Sequence, residues 1–243
     1  MILFLVWIFL VGTCVGSFLN VIIYRLPNKM SIIMPRSHCP HCKKTLCAWH
    51  NIPLISFLML RGRCSYCQQK ISHTYFLVEL ATALFSVILA YHFGLDLKLI
   101  SALFLTWCLI PLVMIDFKHQ ILPDEITQPL LWIGLIVNMF SLFTSLESAV
   151  IGAIVGYMSL WLVMHLYKLI TNKIGMGHGD FKLLAALGAW LGWQALPTII
   201  LISSITGIIL GGSYLLIRKK GFAHPIPFGP FIACAGWIFL LCW

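Results

Sequence analysis

The chain has 243 residues, of which 60% are hydrophobic and only 9% are charged, and its mean hydropathy is +0.97. Soluble domains carry roughly 25% charged residues, and disordered chains are poor in apolar residues. The composition therefore excludes both classes and predicts an integral membrane protein. The net charge of +9 would suit a nucleic-acid ligand, but the positions of the charges along the chain argue against one.

Segments without Asp, Glu, Lys or Arg indicate the membrane helices. They cover residues 1–24, 80–95, 99–115, 126–146, 148–167, 183–217 and 221–243. A membrane-spanning helix needs about 20 mainly apolar residues, so most segments accommodate one helix. The segment 183–217 would extend about 52 Å as a single helix, which is too long for one span. Gly192 and Pro197 favour a turn in its middle. We therefore predict an all-α polytopic membrane protein with about eight transmembrane helices.

Basic residues lie almost entirely on one side of this predicted topology. The first segment lacks a basic start, so we interpret it as a membrane helix with its N-terminus outside rather than as a cleaved signal peptide. With this orientation, 15 of the 16 Lys and Arg residues lie on one side, and only Lys98 lies on the other. Such an asymmetry identifies the cytoplasmic face. It accounts for the net positive charge, and attraction to anionic membrane lipid follows from it.

Two pairs of cysteines stand in the one sizeable polar segment. Cys39 and Cys42 form the first CxxC pair, and Cys64 and Cys67 form the second. Two such pairs supply the thiolates of a tetrahedral zinc site, and metal binding would stabilise a segment too small for a core of its own. Four sulfur ligands leave no position for water, so we predict a structural Zn²⁺. The predicted domains are a transmembrane helix over 1–24, a cytoplasmic zinc domain over 25–74 and a membrane core over 75–243.

Two acidic residues are predicted to lie at the cytoplasmic edge of the membrane. Asp116 ends the apolar segment 109–115, and Asp180 closes the glycine-rich segment 175–180. Acidic groups at membrane depth are costly and usually functional. Two close carboxylates beside apolar surface do not both ionise easily, so one would activate water while the other protonates a carbonyl oxygen, as in aspartic proteases. The residues alone leave a structural alternative open, in which Asp180 caps a helix and Asp116 is a helix end that reaches toward water.

Several segments together carry a family resemblance over nearly the whole chain. They are residues 16–27 (GSFLNVIIYRLP), the two CxxC pairs with 61–64 (RGRC), 115–116 with 121–124, 175–190 (GMGHGDFKLLAALGAW) and 227–231 (PFGPF). In these segments the sequence resembles the bacterial type IV prepilin peptidases. These are leader peptidases and N-methyltransferases, and they belong to the GxGD class of membrane aspartic proteases.

The resemblance implies two activities at the cytoplasmic face of the bacterial inner membrane. The first is cleavage, after a Gly, of the short basic leader of type IV prepilins and type II secretion pseudopilins, for which Asp116 and Asp180 match the catalytic pair. The second is N-methylation of the newly exposed residue with S-adenosylmethionine, which family members with a four-cysteine segment typically perform. Arg61, Gly62 and Arg63 are candidates for binding the methyl donor, with a plain turn into the metal site as the alternative.

Three other functions are compatible with parts of the sequence. A proton-coupled transporter that uses Asp116 and Asp180 as a relay requires acids near the bilayer midplane, whereas both are predicted at one edge. A non-enzymatic assembly factor docked through the zinc segment would need neither aspartate. A protease without methyltransferase activity would leave its mature product unmethylated.

Overall fold

The computed structural model describes residues 1–172, 176–217 and 226–242. Within these ranges the chain is helical, and the only strand-like pairings are two isolated bridges in the four-cysteine segment. The expectation of an all-α protein is thereby confirmed. Of the basic residues counted above, Lys173, Arg218, Lys219 and Lys220 lie outside the described ranges, as do Gly175 and, in the last charge-free segment, residues 221–225 and 243.

Ten α-helices account for most of the described chain. They are α1 (Ile2–Arg25), α2 (Ile55–Met59), α3 (His73–Phe93), α4 (Leu97–His119), α5 (Asp124–Met139), α6 (Leu146–Thr171), α7 (His178–Leu191), α8 (Leu196–Thr206), α9 (Gly212–Ile217) and α10 (Gly229–Leu241). Short 3₁₀ turns, Ala48–Asn51 and Trp193–Ala195, precede α2 and α8. A π-helical stretch, Gly207–Gly211, joins α8 to α9.

Five helical segments among the described residues are long and apolar enough to cross a membrane. They are α1, α3, α4, α6 and the continuous stretch Trp193–Ile217. The helices α5, α7 and α10 are shorter, with 16, 14 and 13 residues. The chain is therefore a helical membrane protein, and the number of eight spans stays a prediction.

Residues Met1–Pro111 form one compact unit, in which α1 and α3 pack antiparallel through small residues. A Cβ atom added to Gly16 would lie only 2.7 Å from the Cα atom of Glu79. Further along, the Nδ2 atom of Asn20 donates a hydrogen bond of 3.0 Å to the carbonyl of Tyr75. Small residues allow membrane helices to approach each other closely. The pairing therefore places the first turns of α3, including Glu79, directly against the second half of α1.

Residues Leu112–Trp243 form a second compact unit, in which α7 is the central helix. All of its residues from Leu183 to Leu191 are buried. Gly152 of α6 and Gly188 of α7 approach so closely that a Cβ on either would clash with the backbone carbonyl of the other. On another side, Trp190 donates a 2.8 Å hydrogen bond from Nε1 to the backbone carbonyl of Leu130 in α5. These contacts fix the axis of α7 and thereby the position of Asp180 in its first turn.

The helix boundaries agree with one sequence expectation and refine another. The turn predicted within 183–217 is present, because α7 ends at Leu191 and Gly192 adopts a φ of 84°, a region that favours glycine. The charge-free segment 126–146, by contrast, does not form one continuous helix. The helix α5 ends at Met139, and an irregular stretch precedes α6.

Candidate active site and candidate metal centre

Four cysteine sulfurs converge in the Met1–Pro111 unit. The Sγ atoms of Cys39, Cys42, Cys64 and Cys67 all lie within 4.8 Å of one another. The Sγ atoms of Cys39 and Cys67 are 3.8 Å apart. A tetrahedral site with Zn–S bonds of about 2.3 Å has sulfur–sulfur edges of about 3.8 Å. The spacing and the chemistry of this donor set therefore fit a metal ion such as zinc.

The two CxxC pairs fold into the same turn. In the first, the Cys39 N–H donates to the carbonyl five residues later, and the Cys39 carbonyl accepts from the N–H four residues later. Cys64 repeats both hydrogen bonds in the second pair. The matching residues Lys43 and Gln68 have φ values of 56° and 58°. Because both turns aim their sulfurs in the same way, the four-sulfur cluster is built from two equivalent halves.

The surroundings of the sulfurs shift the pKa values of the Cys64 and Cys67 thiols in opposite directions. Backbone N–H groups, that of Cys67 foremost, lower the pKa of the Cys64 thiol to about 7 despite its burial. At Cys67 the Gln69 N–H favours the thiolate, but burial and the neighbouring thiols outweigh it and raise the pKa to about 11. Crowding of thiolates is thus unfavourable without a cation. Cys47 lies outside the cluster, with its Sγ atom 3.4 Å from the Tyr66 hydroxyl oxygen.

The segment Arg61, Gly62 and Arg63 forms a turn between α2 and the second CxxC pair. Arg61 and Gly62 have φ values of 50° and 66°, and the Gly62 N–H donates to the Phe57 carbonyl. A side chain at Gly62 would press against the Phe57 ring, since an added Cβ would lie 3.0 Å from its Cζ atom. These residues therefore form the turn that leads into the metal site. Their role in binding the methyl donor stays a prediction.

The two predicted aspartates line one cavity in the Leu112–Trp243 unit. Asp116 lies in the last turns of α4, and Asp180 lies in the first turn of α7. The cavity has a volume of about 250 Å³, and Gly177, His178 and Lys182 also line it. The two side chains come from sequence positions far apart, so the fold brings together the residues that the sequence singled out.

Neither aspartate acts as a helix cap. The N-cap of α7 is Gly177, and Asp180 follows two residues after the helix begins at His178. Asp116 lies inside α4, which continues to His119. Both residues are nonetheless buried, with exposed fractions of 5% for Asp116 and 7% for Asp180. The structural alternative of a cap and a helix end therefore does not explain these two buried carboxylates.

The Asp116 carboxylate lies against the start of α10, where the backbone N–H of Gly229 interacts with it. Its Oδ2 atom is buried and accepts no hydrogen bond from the described residues. A Cβ added to Gly229, at the start of α10, would lie 2.6 Å from this atom. A buried polar atom without a partner is costly and rare. It is the arrangement expected of a group that binds a water or a substrate.

The surface around the cavity carries one ion pair, the only one within the described residues. The Lys182 Nζ atom lies 2.6 Å from Asp124 Oδ1. Asp124 is the first residue of α5, and Pro123 is the N-cap residue of this helix. Lys182 is therefore paired with Asp124, and no ion pair joins it to Asp180 among the described residues. The His178 ring packs against the Phe181 ring, with their centroids 5.5 Å apart, which is an orienting contact within the first turn of α7.

The structure makes two further residues conspicuous. Gly229 belongs to the segment 227–231 that carries the resemblance, and the structure places it directly against Asp116. Glu79 is buried within α3, with an exposed fraction of 9%. The signal for Glu79 was present, because it directly precedes the charge-free segment 80–95 and acids in membrane helices are usually functional.

Comparisons with known proteins identify the class. The sequence profile described as "Bacterial Peptidase A24 N-terminal domain" matches residues 10–93, and that described as "Type IV leader peptidase family" matches residues 103–212. The chain belongs to the type IV leader peptidase family. A comparison with solved structures gives no match.

Curated relatives are similar over almost their full length. A prepilin leader peptidase/N-methyltransferase of Stutzerimonas stutzeri is 51% identical over 95% of this chain and 88% of its own length. Proteins with the same name from Pseudomonas aeruginosa and Legionella pneumophila are 49% and 48% identical, over 96% and 94% of this chain and 88% of their own lengths. The expected resemblance is thereby confirmed.

Proposed function

We propose that this chain cleaves the leader of type IV prepilins and N-methylates the new N-terminus, the two activities that its relatives carry in their name. The observation that carries the proteolytic activity is a pair of buried carboxylates on one cavity, Asp116 from α4 and Asp180 from α7. The substrates are type IV prepilins and type II secretion pseudopilins, cleaved after the Gly that ends the basic leader.

The two carboxylates divide the chemistry of peptide hydrolysis between them. In the starting state one is ionised and the other is protonated, since two neighbouring buried carboxylates do not both ionise easily. The ionised carboxylate takes a proton from water, whose oxygen attacks the scissile carbonyl carbon while the protonated carboxyl gives its proton to the carbonyl oxygen. The gem-diol then collapses and the C–N bond breaks: the carboxyl that took a proton from water gives it to the leaving nitrogen, and the other carboxylate takes a proton from a gem-diol hydroxyl, which restores the starting state.

The membrane positions the substrate for this reaction. We place the N-terminus of the chain outside the bacterial inner membrane, and the four-cysteine segment and both aspartates at the cytoplasmic face. The apolar helix of a prepilin then lies in the bilayer beside the enzyme, and its basic leader lies near anionic lipid. The scissile bond is held at the depth of Asp116 and Asp180, which reduces the orientational cost of the reaction.

Two groups accompany these activities. Cys39, Cys42, Cys64 and Cys67 would hold Zn²⁺, which has a structural role because four sulfurs leave no open coordination position. S-adenosylmethionine, when bound, supplies an electrophilic methyl group for the new amino terminus. The chain contributes the binding of this donor and the orientation of the amine, since no described residue needs to react covalently.

Mass spectrometry of a purified prepilin tests both activities together. The prepilin is incubated with the detergent-purified enzyme and S-adenosylmethionine, beside the variants Asp116→Asn and Asp180→Asn. We expect the wild type to release the leader and to add one methyl mass to the new N-terminus. The cleavage rate of each variant should fall by about 100-fold or more, because the variant lacks a general acid or base.

Asp96→Asn is the matched control, because it makes the same change at an exposed position between α3 and α4. It should cleave at the wild-type rate. Cleavage that survives in both site variants would refute the two-aspartate mechanism. Cleavage without a methyl gain in the wild type would reduce the function to that of a protease alone.

A further inference from the structure

A second cavity lies inside the Met1–Pro111 unit, between α1, α3 and the four-cysteine segment. Its volume is about 380 Å³, which lies in the range of small-molecule binding sites. Aromatic side chains supply part of the lining, among them Tyr24, Phe57, Tyr75 and Phe76. Flat apolar walls of this kind suit a heteroaromatic ring such as a nucleobase.

The cavity wall carries a buried acid without a basic partner. Glu79 has an exposed fraction of 9%, and its Oε2 atom accepts a 2.8 Å hydrogen bond from the Leu54 N–H. No Lys, Arg or His within the described ranges pairs with this carboxylate. A buried carboxylate is strongly disfavoured without a compensating positive charge. The wall of the cavity is therefore a place where a cationic group of a ligand would be stabilised.

The same cavity also carries a buried base without an acidic partner. Arg25 has an exposed fraction of 4%, and its guanidinium donates hydrogen bonds to three neutral backbone carbonyls, those of Ser31, Ile32 and Pro35. No carboxylate pairs with it in the part of the chain that the structure describes. A further polar atom on the lining, His50 Nδ1, is buried and finds no partner among the described residues.

We infer that this cavity is the binding site of the methyl donor, with Glu79 facing its positively charged groups. The inference rests on the proposed methyltransferase activity. S-adenosylmethionine combines a nucleobase with a sulfonium, an ammonium and a carboxylate, so it needs aromatic walls and buried charges of both signs. Glu79 compensates the cationic groups, and Arg25 compensates the carboxylate.

This cavity is distinct from the turn at Arg61, Gly62 and Arg63. None of these three residues lines the cavity. The turn touches it indirectly, because Gly62 packs against the ring of Phe57, which does line it. The four-cysteine cluster, by contrast, contributes directly, since Cys39 and Cys64 form part of the cavity wall.

Donor binding to the full-length, zinc-loaded enzyme tests the inference without relying on catalysis. Isothermal titration with S-adenosylmethionine is compared for the wild type, Glu79→Gln and Glu147→Gln. Gln retains an oxygen that accepts from the Leu54 N–H, so E79Q removes the charge and keeps the contact. Glu147 lies exposed at the start of α6, and E147Q is the matched control. We expect at least a tenfold weaker Kd for E79Q and a change below twofold for E147Q.

A second measurement uses only the wild type and therefore does not depend on the folding of a variant. Ultraviolet crosslinking of radiolabelled S-adenosylmethionine, followed by peptide mapping, should place the label on cavity residues such as Tyr24 or Tyr75. A label confined to Arg61–Arg63 or to the Leu112–Trp243 unit would overturn the inference. So would an unchanged Kd in E79Q with bound zinc retained.

Failure of the proposed donor site and failure of the proposed methyltransferase activity give different results. A wild type that methylates and binds the donor, but is labelled elsewhere, refutes the site and leaves the proposed function intact. A wild type that cleaves a prepilin but neither binds the donor nor transfers a methyl group refutes the methyltransferase activity itself, and the inference with it.

Discussion

Gly229 leaves no room for a side chain beside the Asp116 carboxylate. An added Cβ would stand 2.6 Å from Asp116 Oδ2 and 3.1 Å from Leu122 Cδ1, so the carboxylate would have to move. A displacement of about 1 Å near a reacting group can cost about 100-fold in rate. We therefore expect Gly229→Ala to slow prepilin cleavage about 100-fold, measured as the rate of leader release by quantitative mass spectrometry.

Gly212→Ala is the matched control for this substitution. Gly212 begins α9 as Gly229 begins α10, but among the described residues no atom outside its own helix turns lies within 4 Å of the Cβ that would be added there. The control should cleave at the wild-type rate. If Gly229→Ala also cleaves normally, the Asp116 carboxylate does not act from the position that it occupies in the structure.

A single sulfur of the four-cysteine cluster decides whether a metal is retained. Cys64 is buried within the cluster, whereas the nearby Cys47 faces Tyr66 outside it. We expect Cys64→Ser to lose most of its bound zinc and Cys47→Ser to keep it, measured by elemental analysis of the purified proteins. Equal metal loss in both variants would mean that Cys47 is a ligand, and equal retention would mean that the cluster is not the metal site.

At the scale of helices, one buried amide ties the end of α5 to the end of α7. The Nδ2 atom of Asn138 donates to the carbonyls of Ala189 and Trp190, and its Oδ1 atom accepts from the N–H groups of Phe143 and Thr144. Alanine would remove these four hydrogen bonds, and each buried group that is left unsatisfied costs about 1–3 kcal/mol. We expect Asn138→Ala to lower the free energy of unfolding by about 3 kcal/mol or more.

Thermal unfolding in detergent measures this effect. Asn28→Ala serves as the comparison, because the Asn28 amide makes a single exposed hydrogen bond to the Tyr24 carbonyl. Its loss should cost about 1 kcal/mol or less. A similar midpoint shift for both variants would show that the Asn138 contacts do not hold α5 and α7 together.

The Asn138 amide also shows why the sequence predicts where the helices lie better than where they end. Charged residues are excluded from the bilayer, so charge-free segments locate the helices. The break after Leu191 is predicted from the excess length of the segment 183–217 and from Gly192 and Pro197 within it. The chain leaves α5 at Met139, inside the charge-free segment 126–146. The backbone groups of the following stretch are satisfied by Asn138, a neutral residue that does not interrupt a charge-free segment. Only the tertiary contact with α7 shows what this asparagine does.

The residues of the candidate sites could be predicted because acidic residues and paired cysteines are rare in an apolar chain. Asp116, Asp180 and the four cysteines stand out because few acids and few paired cysteines occur in the sequence. Their convergence is a property of helix packing. The segment 227–231 is recognisable in the sequence, but the close approach of its Gly229 to Asp116 is visible only in the structure, because it is a contact between distant segments.

For the molecule as a whole, the two proposed activities occupy separate units. The carboxylates lie in Leu112–Trp243, whereas Cys39 and Cys64 line the cavity within Met1–Pro111. Removal of zinc with a strong chelator should therefore reduce methyl incorporation more than leader cleavage, by about tenfold or more in the ratio of the two rates. Both rates are measured in one mass-spectrometric assay, before and after zinc is restored. Parallel loss and parallel recovery would show that cleavage needs the metal equally.

The distribution of basic residues makes a prediction about the whole topology. If the N-terminus lies outside, then Asp96, between α3 and α4, and Glu147, at the start of α6, lie outside as well. Asn28 and His119 then lie on the cytoplasmic side. All four are exposed, so a cysteine at each is accessible to a maleimide from its own side of the membrane.

The measurement is labelling of spheroplasts with a membrane-impermeant maleimide. The background keeps the four cluster cysteines and replaces the other five with serine, which are Cys14, Cys47, Cys108, Cys234 and Cys242. Asp96→Cys and Glu147→Cys should react in intact spheroplasts, and Asn28→Cys and His119→Cys only after permeabilisation. A complete reversal would place the aspartates outside and contradict cytoplasmic cleavage. Opposite results for Asp96 and Glu147 would instead mean that the segment between them crosses the membrane an odd number of times, so that α4 or α5 does not span it.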